Sequence, residues 1–104
     1  MATYTSKSIS AVNTFTDAII FDGNFNLSIS GTLNSPCKVT AQRSIDGSTY
    51  HDVDQFSSIG EFVGFEPEPG MSYKFGIKSS ETLSGSSVTI RVGGPWKNPP
   101  IANT

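Results

Sequence analysis

The sequence predicts an all-β protein: a single antiparallel two-layer β-sandwich of about seven strands, in jelly-roll or immunoglobulin-like order, with extended N- and C-terminal arms. Three observations lead there. Apolar and polar residues alternate in short runs, as where Phe25, Leu27 and Ile29 interleave with Asn26, Ser28 and Ser30; a period of two puts the apolar set on one face of a strand. Turn-forming residues bound such runs at a spacing of about ten residues. No stretch of useful length carries a helical period, and the links are too short for crossover helices, so the pairing is antiparallel.

In chain order, residues 1–13 are mostly Ser, Thr and Ala with a lone Tyr4. They read as an arm or an edge strand, with the balance towards an arm that orders against something else. The first strand is 14–21, ended by the turn dipeptide Asp22-Gly23. The second is 25–30, closed by Gly31. Asn34-Ser35-Pro36 makes a loop, because Pro36 has no N–H and biases Ser35 away from helix. The third strand, 37–44, and the fourth, 50–56, form a hairpin around Asp46-Gly47, residue types that tolerate positive φ. The fifth strand is 61–65, with Val63 and Phe65 on one face. Glu66-Pro67-Glu68-Pro69-Gly70 cannot continue a ladder and reads as a stiff connection. The sixth strand is 71–79, residues 80–86 turn with Gly85 at the tip, and the seventh strand is 87–92. The domain thus spans 14–92, and 93–104 is an extended Pro-rich tail. The expected core is Phe25, Leu27, Ile29, Val39, Ala41, Val53, Val63, Phe65, Tyr73, Phe75, Ile77, Val88, Ile90 and Val92.

The totals narrow the function classes. At 104 residues the chain holds one domain. Seven basic against nine acidic residues leave a net charge of −2, so no clustered basic excess points to nucleic acid. The longest apolar run, Ala18-Ile19-Ile20-Phe21, is far too short for a membrane span. MATYTSKSIS lacks the apolar segment of a secretory signal, and the single cysteine, Cys37, excludes an internal disulfide. The expectation is a soluble protein assembled in a reducing cytoplasm.

Candidate chemistry is sparse. A metal site needs converging ligands, and there is one histidine, His51, beside Tyr50 and Asp52; sharing parity with Val53, it reads as a partly buried structural residue. Cys37 reads as a small core or edge residue rather than a nucleophile. Asp46, Asp52 and Asp54 do not have the spacing of a calcium loop; Asp46 serves the turn and the other two face outward. Glu66 and Glu68 could suggest a glycosidase pair, but between Pro67 and Pro69 they read as solubilising loop residues. The run 44–50, SIDGSTY, is a shortened version of the S-x-D-x-G-x-T-W hairpin, itself a structural turn. No catalytic residue, cofactor or metal is expected.

Three segments taken together, QRSIDGSTYHDV (42–53), GEFVGFEPEPG (60–70) and YKFG (73–76), resemble a set of small tailed-bacteriophage proteins. Their recurrent pattern is FNLSISGT, V-x-x-QRS-x-DG-x-x-W-x-DV, a G-E-x-x-x-x-EPE-x-G-x-x-Y-x-F stretch, and a closing strand of type SG-x-V-x-x-R. The likeness covers residues 23–92. This chain has Tyr50 where the pattern has Trp, and a longer Pro-rich tail. The resemblance implies a virion structural protein, a small β-sandwich on the capsid or at the head–tail region, without catalytic residues.

The expectation is therefore a capsid decoration (cement) protein that binds and stabilises the outer shell as a homo-oligomer, a trimer being favoured. Its partners are the major capsid protein or neighbouring virion subunits, not nucleic acid or membrane. It would reside in the virion, assembled in the host bacterial cytoplasm. Trp96, Ile101 and Tyr4 are the interface candidates. The alternatives are a head–tail connector or tail component, or a carbohydrate-binding module that stacks sugars on Tyr50, Tyr73 or Trp96.

Overall fold

The computed structural model describes residues 4–94. Trp96 and Ile101, two of the interface candidates, and most of the expected tail lie outside the described residues. The described chain forms seven strands: β1 (Tyr4–Ile9), β2 (Thr14–Phe15), β3 (Ile19–Thr32), β4 (Val39–Ser44), β5 (His51–Phe56), β6 (Gly60–Ile77) and β7 (Ser87–Gly93). All pairings are antiparallel, in the order β1-β7-β3-β6-β4-β5, with β2 on β6. Hydrogen bonds join them in one sheet, curled into a half-barrel around the core.

The sheet is built on two long strands that the sequence breaks into shorter ones. β3 does not turn at Asp22-Gly23. Phe21 pairs with Met71 and Gly23 with Glu66, so residues 67–70 bulge out of β6 opposite Asp22. Gly23 at φ 109° and Gly70 at φ 87° supply backbone conformations that side chains disfavour. The expected stiff connection is thus a bulge inside one 18-residue strand. Pro67 and Pro69 are tolerated because the bulge makes no ladder with β3.

The expected first strand is likewise divided. Only Thr14 and Phe15 pair, with Ile77 and Gly76 at the end of β6. Thr16 then fastens to β6: its N–H donates to the Phe75 carbonyl at 2.8 Å and its Oγ1 accepts the Phe75 N–H at 3.2 Å. Residues 4–9 are an edge strand rather than an arm. They pair with β7 along their whole length, and Ile9 is buried in the core.

The hairpin at Asp46-Gly47 forms as read. Gly47 has φ 78°. Asp46 Oδ1 accepts the N–H groups of Ser48 at 2.8 Å and Thr49 at 3.0 Å, and the Ser44 hydroxyl at 2.9 Å. These bonds, Thr49's first, hold the carboxyl well down, at about 2. Asp46 is a turn residue, as expected.

The core is centred on an aromatic cluster. Phe21 and Phe25 stack with ring centroids 4.2 Å apart, and Tyr73 tilts against both at 5.0 and 5.3 Å. Around it lie Leu27, Ile29, Val39, Ala41, Phe75, Ile77, Val88, Ile90 and Val92, all expected, with Ile9, Ile19, Phe21 and Met71, which were not; Cys37 is buried as read. Phe25 is only partly buried. Three expected core residues are exposed: Val53 at 51%, Val63 at 88% and Phe65 at 63%. Val53 lies on β5, the last strand of the sheet among the described residues, and His51, two residues earlier on the same strand, is exposed as well. Val63 and Phe65 point outward because Phe62, Gly64 and Glu66 point inward. Gly64 faces in because the Phe25 ring occupies its side-chain space: a Cβ there would lie 2.4 Å from Phe25 Cζ.

Candidate functional site

The one buried carboxylate among the described residues is Glu66, which enters the core at the lip of the bulge. Arg43, on β4, grips it with both arms: Nε donates to Oε1 at 2.6 Å and Nη2 to Oε2 at 2.9 Å. The Tyr73 hydroxyl donates to Oε1 at 2.6 Å, and the Glu68 N–H to Oε2 at 2.9 Å. Arg43 chiefly, then Tyr73, hold the Glu66 carboxyl at about 2 against the opposing cost of burial. Burial first, then the hydrogen bond to Glu66 and its charge, push the Tyr73 hydroxyl up to about 12. The Arg43 guanidinium is held charged by the same contact. Every oxygen of Glu66 is already engaged, so this cluster clamps the bulge to β4 and has no proton free to exchange near neutral pH. Glu66 is not the solubilising loop residue that its proline neighbours suggest. Its potential partner Glu68 is exposed, with Oε1 3.9 Å from Arg43 Nη2.

The other candidates stay apart. Cys37 is buried, and burial pushes its thiol up, the opposite of activation. Asp52 forms an ion pair with Lys78 and accepts from Gln42 Nε2 at 2.9 Å, which lowers its carboxyl. Among the described residues no three of His, Cys, Asp and Glu converge as metal ligands would. Tyr73 is in the core and offers no ring face to a sugar. Tyr50 donates or accepts a bond with Ser72 at 2.7 Å, and Lys74 Nζ sits 4.5 Å over its ring, so that face is occupied. Tyr4 is largely exposed with the Arg91 guanidinium 4.4 Å over its ring.

What the fold leaves open is apolar surface. Between β5 and the first half of β6 lies a groove of about 560 Å³, floored by Phe25, Leu27, Ala41 and Phe75 and walled by Val53 and Phe62. Phe56 and Phe62, whose ring centroids are 4.7 Å apart, also line it. Among the described residues the outer edge of β5 has no ladder partner, and neither does the edge of residues 60–66 that faces away from β3. On the other side of the Val63 and Phe65 strip is a second depression of about 660 Å³, which runs across Asn24 and Asn26 to Gly93 and Gly94. The sequence hinted at this surface only in the F-V-G-F run, where both alternations carry an apolar residue.

Comparison with known protein families, with curated proteins and with solved structures gives no match.

Proposed function

We propose that this chain is a virion structural protein of a tailed bacteriophage, a decoration protein that binds the outer capsid shell and stabilises it. The observation that carries this reading is the pairing of open strand edges, on β5 and on residues 60–66, with the apolar groove between them, on a domain whose buried charge is internally satisfied. Unpaired edges and apolar patches are where protein surfaces recruit other protein surfaces. The likeness of residues 23–92 to small phage proteins supplies the setting. The partners are the major capsid protein or adjacent virion subunits, and the protein is a homo-oligomer, a trimer being favoured because symmetric neighbours cover edges. The reading assigns no reaction, cofactor, nucleic acid or membrane. With it goes a two-layer sandwich, in which the curled sheet folds over the core to supply both layers.

Gel densitometry of purified particles tests it. A copy number comparable with that of the major capsid protein is the expected result. A single ring's worth of copies would move the protein to the head–tail connector, and absence from the particle would overturn the proposal. Light scattering that shows a monomer at high concentration, with isolated copies in a particle map, would remove the trimer.

A further inference from the structure

We propose that the outward strip formed by Val63 and Phe65 is the seat of this chain's own Trp96. The strip is out of place on its surface. Its neighbours on β3 are Asn24 and Asn26, yet Val63 is 88% and Phe65 63% exposed. Two large apolar side chains two residues apart on one face of a strand form a continuous patch, and its burial would be favourable.

Strand register brings the end of the described chain to this patch. Gly93 pairs with Asn26, and Asn26 pairs with Val63, so the three lie in one row across β7, β3 and β6. Two strand spacings separate Gly93 from Val63, roughly 10 Å. Gly93 has no side chain to block that row. Gly93 and Gly94 line the same depression as Val63 and Phe65, and its volume of about 660 Å³ admits an indole ring. Trp96 follows Gly94 by two residues, a reach of roughly 7 Å of extended backbone before the side chain is counted. The side chains of Asn24 and Asn26 at the rim offer acceptors for an indole N–H, which seeks a partner when buried.

The same short tether selects the occupant. A Trp96 held two residues from its seat has a far higher effective concentration there than the Trp96 of a second copy. The inference does not depend on the virion reading, and its test uses the isolated protein.

Trp96 is the only tryptophan in the chain, so the fluorescence reports the surroundings of that one side chain. In the full chain the emission should be blue-shifted, and iodide quenching much weaker than in the same chain unfolded in denaturant. Neither should change on dilution. The double variant Val63→Ser with Phe65→Ser replaces exposed side chains, so it should keep the β circular dichroism of the wild type; its emission should move to the red and its quenching approach the unfolded value. Three results would overturn the proposal: a wild-type Trp96 as quenchable as in denaturant, a shift that appears only where light scattering shows a dimer, or a double variant that shields Trp96 as well as the wild type does.

Discussion

Before the bulge, β6 has a single neighbour, β3; after it, β6 lies between β4 on one side and β3 with β2 on the other. Residues 71–77 are accordingly buried at every position but Lys74, while 61, 63 and 65 stand exposed. The two halves are alike in apolar content: Phe62, Val63 and Phe65 in one, Met71, Tyr73, Phe75 and Ile77 in the other. Hydropathy therefore does not separate them. The number of flanking strands and the layer beneath do, because a side chain leaves water only where other atoms cover it. Glu66 and the bulge mark the boundary, and Arg43 holds that boundary to β4.

The sharpest way to break this contrast is Phe75→Ala. Phe75 is 1% exposed and touches the aromatic cluster, so its truncation should cost about 3–5 kcal/mol in denaturant titration. A loss below about 1 kcal/mol would mean that the second half of β6 is no better packed than the first.

Acid titration tests the boundary itself. The Glu66 carboxyl sits at about 2 in the fold against 4.5 when unperturbed. Its stabilising contribution is therefore fully present above pH 4.5 and is lost as pH falls from there towards 2, an effect on the order of 3 kcal/mol. In Glu66→Gln this acid loss should shrink without vanishing, because Asp46 is also held at about 2. Glu61, five residues earlier on the outer face, accepts the Ser28 hydroxyl at 2.6 Å in an exposed setting; Glu61→Gln should shift stability by less than about 0.5 kcal/mol. Equal acid limbs in wild type and Glu66→Gln would show that the clamp is not what the acid limb reads.

Intermediate effects come from two glycines, one in each half of β6. A Cβ on Gly76 would meet the Thr14 carbonyl oxygen at 2.1 Å and Phe15 Cα at 2.5 Å, both backbone. Gly76→Ala must push β2 away and should lower stability by about 2–3 kcal/mol. A Cβ on Gly64 would meet only the Phe25 ring, which can tilt towards the open groove, so Gly64→Ala should cost about 1 kcal/mol. Reversal of that order in thermal melts would contradict the picture of a rigid second half and an accommodating first.

The local chemistry of the chain was enough for much of this fold. Alternation in β3 and β7 identifies Leu27, Ile29, Val88, Ile90 and Val92 as core, and Ser44, Asp46 and Gly47 make their turn from bonds among near neighbours. These features depend on residues that lie next to one another, and the chain carries them in any context. The choices that failed depend on distant partners. Asp22-Gly23 turns in isolation, but a strand that can pair on both sides runs through it with a bulge instead. F-V-G-F offers two faces of similar hydropathy, and only the Phe25 ring over Gly64 puts Val63 and Phe65 outside. Glu66 between prolines reads as a solvent residue until Arg43, 23 positions earlier in the chain, arrives to neutralise it. Local pattern decides what a segment can be; which face it buries is decided by the atoms that the rest of the fold brings against it.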